Sequence, residues 1–178
     1  MSMNAQNEID VILQPLYAPA SNPEEYDDRN SEGIDQLTDL SSSYNNELAS
    51  YAKQLVRTLQ ENEQHEFILT IVLRALQKRN QTDDLVEIAS SALFNEFAED
   101  KLFYVEQLTA VDDDRVPSLL IKALGELKSY DEYSGHAQEE IIEFLQKKHE
   151  INAAPAIIQS LTDISARVRT SALLFIRI

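Results

Sequence analysis

Two short apolar stripes between Ala153 and Ile178 constrain this chain more than any other feature. Ala154, Ile157, Ile158 and Leu161 recur at helical spacing, and Ile164, Val168, Ala172, Phe175 and Ile176 form a second stripe. The polar stretch Thr162-Asp163-Ile164-Ser165-Ala166 between them reads as a tight turn. Pro155 suits a first helical turn, where its missing N–H has no intrahelical partner to lose. Asp163 stands where its carboxylate accepts from the free N–H groups of the next helix. Neither helix can bury its stripe alone, so each requires the other and a further neighbour.

The same periodicity runs back along the chain. It predicts helices over Asn46–Gln60, Gln64–Lys78, Asp83–Phe94 with Thr82 as N-cap, Phe97–Ala110, Arg115–Leu127 and Gln138–Lys148. Asp112-Asp113-Asp114 is an acidic turn ahead of one of them, and Ser134-Gly135 breaks the chain ahead of another. With Gly 3 and Pro 5 in 178 residues, helices with short turns are favoured over a β-sandwich. The expected fold is all-α, about four helical hairpins over residues 44–178. Residues 1–43 read as an acidic, partly mobile N-terminal arm. Within it Ile9, Val11, Ile12, Leu13 and Leu16 form a short apolar cluster, read as a short helix or an extended segment docking on the domain or as a tethered binding segment, while the acidic, turn-rich stretch Asn22–Gly33 reads as a solvated linker.

Pro155, Asp163, Val168-Arg169 and Ala172 together resemble the HEAT repeat of α-solenoid proteins. The resemblance covers one repeat of roughly 26 residues and implies an α-α superhelix of HEAT or armadillo type. It implies that Asp163 caps the turn, that Val168 packs between the two helices, and that Arg169 ties turns together. Earlier hairpins share the periodicity, and Pro117 opens a helix as Pro155 does, but the turn Lys128–Gly135 is longer than the HEAT pattern and its second helix lacks a Val-Arg pair. A terminal solenoid repeat is normally polar outside. Here Leu173, Leu174, Ile176 and Ile178 remain apolar, which requires cover from the N-terminal segment or from another chain.

The net charge is −16. Such a surface repels phosphate backbones and anionic membranes, so neither nucleic acid nor a membrane is an expected partner, while a basic protein is permitted. Cys 0 excludes disulfides and thiolate chemistry and fits a cytoplasmic protein. No apolar run approaches the ~20 residues of a membrane span.

Little in the sequence points to catalysis. His65, His136 and His149 are the only histidines, and His65-Glu66 and His149-Glu150 are His-Glu pairs. Deoxyhypusine hydroxylase relatives present such pairs to a di-iron centre from a regular helical position. Here one lies near a helix start and the other near a helix end, so no metal and no cofactor are expected. Glycines are too few for a phosphate loop.

The candidate binding residues are Arg167, Arg169 and Arg177, a basic cluster in an acidic chain, and Tyr130 and Tyr133, which flank two acids in the long turn. The competing reading of Arg169 is a pairing inside its own repeat. The expected function is a non-catalytic protein-interaction module that holds a protein or peptide on its curved face. The alternatives are an acidic inhibitor of a basic toxin, a solenoid enzyme or lyase subunit, and self-association through the C-terminal helix.

Overall fold

The computed structural model describes residues 3–18, 23–62, 64–131 and 134–176, and every regular element among them is helical. Among the described residues ten α-helices divide between two compact units, residues 1–99 and 100–178. No helix among the described residues is long and apolar enough to cross a membrane.

The first unit holds α1 (Met3–Leu13), α2 (Pro23–Asp39), α3 (Asn45–Arg57), α4 (Gln64–Lys78) and α5 (Thr82–Leu93). α1 packs on α3, α3 on α5, and α2 on α4, so the helices form two rows. α4 is the centre of this unit. Its Ile68, Leu69, Ile71, Val72, Leu73, Ala75 and Leu76 are all buried, a stripe far wider than one neighbour needs.

The acidic stretch after Ala18 is not merely solvated. From Pro23 it forms the 17 residues of α2, despite a composition rich in turn formers. Ile34 and Leu37 lie one turn apart, are buried, and face a helix already apolar on that side. The charges stay on the other faces, where Glu25 pairs with Arg29 and Gln36 donates to Glu32 at 2.8 Å. Gly33 lets this helix run close to the preceding segment, since a Cβ there would stand 3.1 Å from Leu16 Cδ1. Ile9 and Leu13 of α1 and Leu16 of the following 3₁₀ turn are buried as well.

The second unit holds α6 (Lys101–Thr109), α7 (Val116–Glu126), α8 (His136–Lys147), α9 (Ala154–Ser160) and α10 (Ala166–Ile176). α6 packs on α8, α8 on α10, and α7 on α9, again two rows. The core comes from Phe103, Tyr104, Val105 and Leu108 of α6, Leu120 and Leu124 of α7, and Ile141, Ile142 and Leu145 of α8. α6 begins later than its apolar pattern suggests, because Asp100 is its N-cap and accepts from the Phe103 N–H at 3.1 Å. Thr82 is not a cap but the first residue of α5, where Gln81 holds the cap position.

The central helices of the two units end alike. α4 ends in Leu76-Gln77-Lys78-Arg79-Asn80-Gln81 and α8 in Leu145-Gln146-Lys147-Lys148-His149-Glu150. Asn80 and His149 both adopt positive φ, 56° and 55°. The next N–H closes back on the leucine carbonyl at 3.0 Å in each case, Gln81 on Leu76 and Glu150 on Leu145. These are two Schellman endings. Each positions a cation one residue before the turn. Arg79 reaches the α2–α3 connection, and Lys148 reaches Asp112 of the α6–α7 turn at 2.9 Å.

Candidate interaction surface on the last helical pair

The repeat-like residues meet as the resemblance implies only in part. Val168 and Ala172 are fully buried, and Pro155 lies in the first turn of α9. Asp163 accepts from the Ser165 N–H at 2.8 Å, which closes the turn ahead of α10. Val168 and Ser165 pack against Gly135, the residue before α8. A Cβ on Gly135 would lie 2.5 Å from Val168 Cγ2 and 2.8 Å from Ser129 Oγ, and its φ is +98°. Ser165 Oγ donates to the Ser134 carbonyl at 2.6 Å. The start of α10 is thereby locked to the start of α8.

The arginines expected on a binding surface have partners inside the unit. Arg167 pairs with Glu139 of α8 at 2.8 Å. Arg169 donates to the carbonyls of Asp163 at 2.8 Å and Ile164 at 2.7 Å, so it ties its own turn and not a neighbouring one. Arg177 lies outside the described residues, as do Tyr133 and Ile178. Tyr130 is 94% exposed, its ring projecting from a loop in which Ser134 Oγ accepts from the Tyr130 and Asp131 N–H groups.

His65 and His149 serve as structural residues. His65 Nδ1 donates to the Thr58 carbonyl at 2.9 Å, and His149 is the left-handed residue that ends α8. No group of three His, Asp or Glu side chains among the described residues is arranged to hold a metal ion.

The stripes of the last helical pair are only half used. Ile157 is buried, yet Ile158 is 55% exposed, and Leu173, Leu174 and Ile176 stand about half exposed. Ile151, just ahead of α9, is 83% exposed. A cavity of about 370 Å³ beside it is lined by Gln146, His149, Ile151, Ala154 and Phe175. Asp163 is the only carboxylate between residues 151 and 176, in a chain that has 31. The last helical pair thus carries several exposed apolar side chains and few carboxylates, on an otherwise acidic protein. Periodicity alone placed Ile158 and Ile176 inside, because a stripe on a helix does not say how much of its width a neighbour covers.

A second recess of this unit is polar. It measures about 290 Å³ and includes Asp112, Asp113, Asp114, Lys148 and Glu150. Arg115 bonds Asp113 through Nε at 2.8 Å and Nη2 at 2.7 Å, and with the Arg115 N–H this holds the Asp113 carboxyl down at about 2. Asp112 and Asp113 thus face cations of their own, Lys148 and Arg115.

No protein-family model matches this chain, and no curated protein or solved structure matches it either.

Proposed function

We propose that this chain is a non-catalytic protein-interaction module of α-solenoid, HEAT-like type. The reading rests on the apolar area of Ile151, Ile158, Leu173, Leu174 and Ile176. Exposed apolar groups gathered on one helical pair, with a single carboxylate among them, suit a protein or peptide that buries an apolar face of its own. The two-row packing supports the solenoid reading, since stacked hairpins bring each helix against the helix two positions along. Such stacks offer a large preformed area with little ordering cost on binding.

The test is a comparison of the wild-type chain with Leu173→Glu/Leu174→Glu. Both side chains are half exposed, so the thermal melt of the variant should stay close to wild type. Cross-linking in native lysate, read by mass spectrometry, should give wild type a stoichiometric protein partner that the variant loses. Identical cross-linked species for both would remove this surface as the interaction site. Native mass of the purified chain is measured alongside, so that self-association through α10 is distinguished from capture of another protein.

A further inference from the structure

A second candidate site lies in the first unit and stands independently of the apolar area on α9 and α10. Asp10, Val11, Gln14 and Tyr17, from α1 and its following turn, line a groove of about 540 Å³ together with Tyr51 of α3. The Tyr17 and Tyr51 hydroxyls are 3.3 Å apart, so one donates to the other. The Tyr17 ring meets the His65 ring edge-on at 6.4 Å, and His65 is held by the Thr58 carbonyl. The two tyrosines are thus anchored to the fold.

The electrostatics of this seam have one sign. Burial, then the bond to Tyr17, then the negative charge of Asp10 hold the Tyr51 hydroxyl above its ordinary pKa. Tyr44, at the start of α3, is raised first by its hydrogen bond to Glu8, with Glu47 adding charge. Glu47 precedes Tyr51 by one turn of α3, and its Oε2 is buried with no hydrogen-bond partner. No Lys or Arg occurs before Arg29, and Arg29 is committed to Glu25 and to the carbonyls of Pro15 and Ala18. Asp10, Gln14 and the two tyrosine hydroxyls thus stand as acceptors beside an aromatic wall.

We propose that this groove receives the guanidinium of an arginine side chain presented by a partner protein. A guanidinium is flat, always charged and weakly hydrated, so it lies against a tyrosine ring while donating to a carboxylate and to hydroxyl or amide oxygens. Asp10, Gln14 and the two hydroxyls provide that acceptor set. A carboxylate has about four acceptor positions, so a bond to a neighbour leaves others for the ligand. An anionic ligand is opposed by Asp10. A purely apolar one has only Val11 to cover.

The test uses two small probes on the full chain carrying 13C-labelled tyrosine rings. N-acetyl-arginine amide and N-acetyl-citrulline amide share a shape and differ in charge. The arginine probe should shift the Tyr17 and Tyr51 ring signals saturably, leaving those of Tyr104 and Tyr130 in the second unit unmoved. Citrulline should bind at least about tenfold more weakly, the size of one charge-assisted hydrogen bond. Asp10 is exposed, so Asp10→Asn should keep the amide spectrum folded while weakening the arginine probe by a similar factor. Equal binding of the two probes, an unchanged affinity in Asp10→Asn, or shifts spread over both units without saturation would each overturn the assignment.

Discussion

Arg79 and Asn45 are joined across 34 residues of sequence, the Arg79 Nε–H donating to Asn45 Oδ1 at 2.9 Å. The same guanidinium reaches the carbonyls of Leu37 at 3.0 Å, Thr38 at 2.9 Å, Leu40 at 2.7 Å and Ser41 at 3.0 Å. These are the carbonyls that the end of α2 and its exit turn leave without intrahelical partners. One side chain at the end of α4 therefore finishes α2 and sets where α3 begins. Removal of Arg79 should cost about 2–3 kcal/mol, because several carbonyls lose a charged donor at once. Urea unfolding of Arg79→Ala reads this directly, and Arg79→Lys should recover only part, since an ammonium cannot span the same set of acceptors.

Gly135 is the position where any side chain is excluded. Its φ of +98° disfavours L-residues, and a Cβ would stand 2.5 Å from Val168 Cγ2. Gly135→Ala should destabilise the chain by at least about 2 kcal/mol, from strain and overpacking together. A companion Val168→Ala should relieve the contact but not the backbone strain, so the double variant should fall short of additive loss in thermal melts.

His149 is occupied as a helix terminator. Glycine is the residue best suited to its φ of 55°. His149→Gly should leave stability unchanged or raise it by up to about 1 kcal/mol, whereas His149→Val should lower it by about 1–2 kcal/mol. Asn80→Gly and Asn80→Val should follow the same order at the end of α4. Denaturant midpoints of the four variants check the pattern, which a metal-ligand role for His149 would not produce.

The Asp113 carboxyl carries a defined pH signature. Its hydrogen bonds from the Arg115 side chain and N–H lower it from 3.8 to about 2 in the folded chain. A carboxylate held below its unfolded value favours folding fully above about pH 4 and loses that contribution as pH falls through about 2. The 13C carboxyl signal of Asp113 should therefore stay ionised down to that range. In Arg115→Ala its midpoint should move back up toward the ordinary aspartate value, and added salt should move the wild-type midpoint the same way.

Much of this architecture is legible residue by residue. Leu48, Ala52, Leu55, Val56 and Leu59 recur at the spacing of one helical face and are buried. α2 was not legible, because only Ile34 and Leu37 mark its buried face among acids and turn formers, and two residues are too few to stand out as a stripe. Arg79 carries a readable signal. Leu-Gln-Lys followed by a second cation recurs at the ends of α4 and α8, and a repeat of that kind marks equivalent positions in repeated units. The α1–α3 groove had no such mark. Asp10, Tyr17 and Tyr51 come from separate elements, and their meeting depends on how α1 lies along α3.

Helical class, the positions of most turns and the acidity of the surface follow from local chemistry, since apolar spacing, proline placement and charge act within a few residues. Burial follows different rules. Ile157 and Ile158 are adjacent and equally apolar, yet one is enclosed and the other is 55% exposed. Arg167 and Arg169 look like a free basic pair, yet one meets Glu139 and the other the carbonyls of Asp163 and Ile164. A side chain's fate is set by which neighbour covers it, and that neighbour is chosen by contacts between residues far apart in the chain.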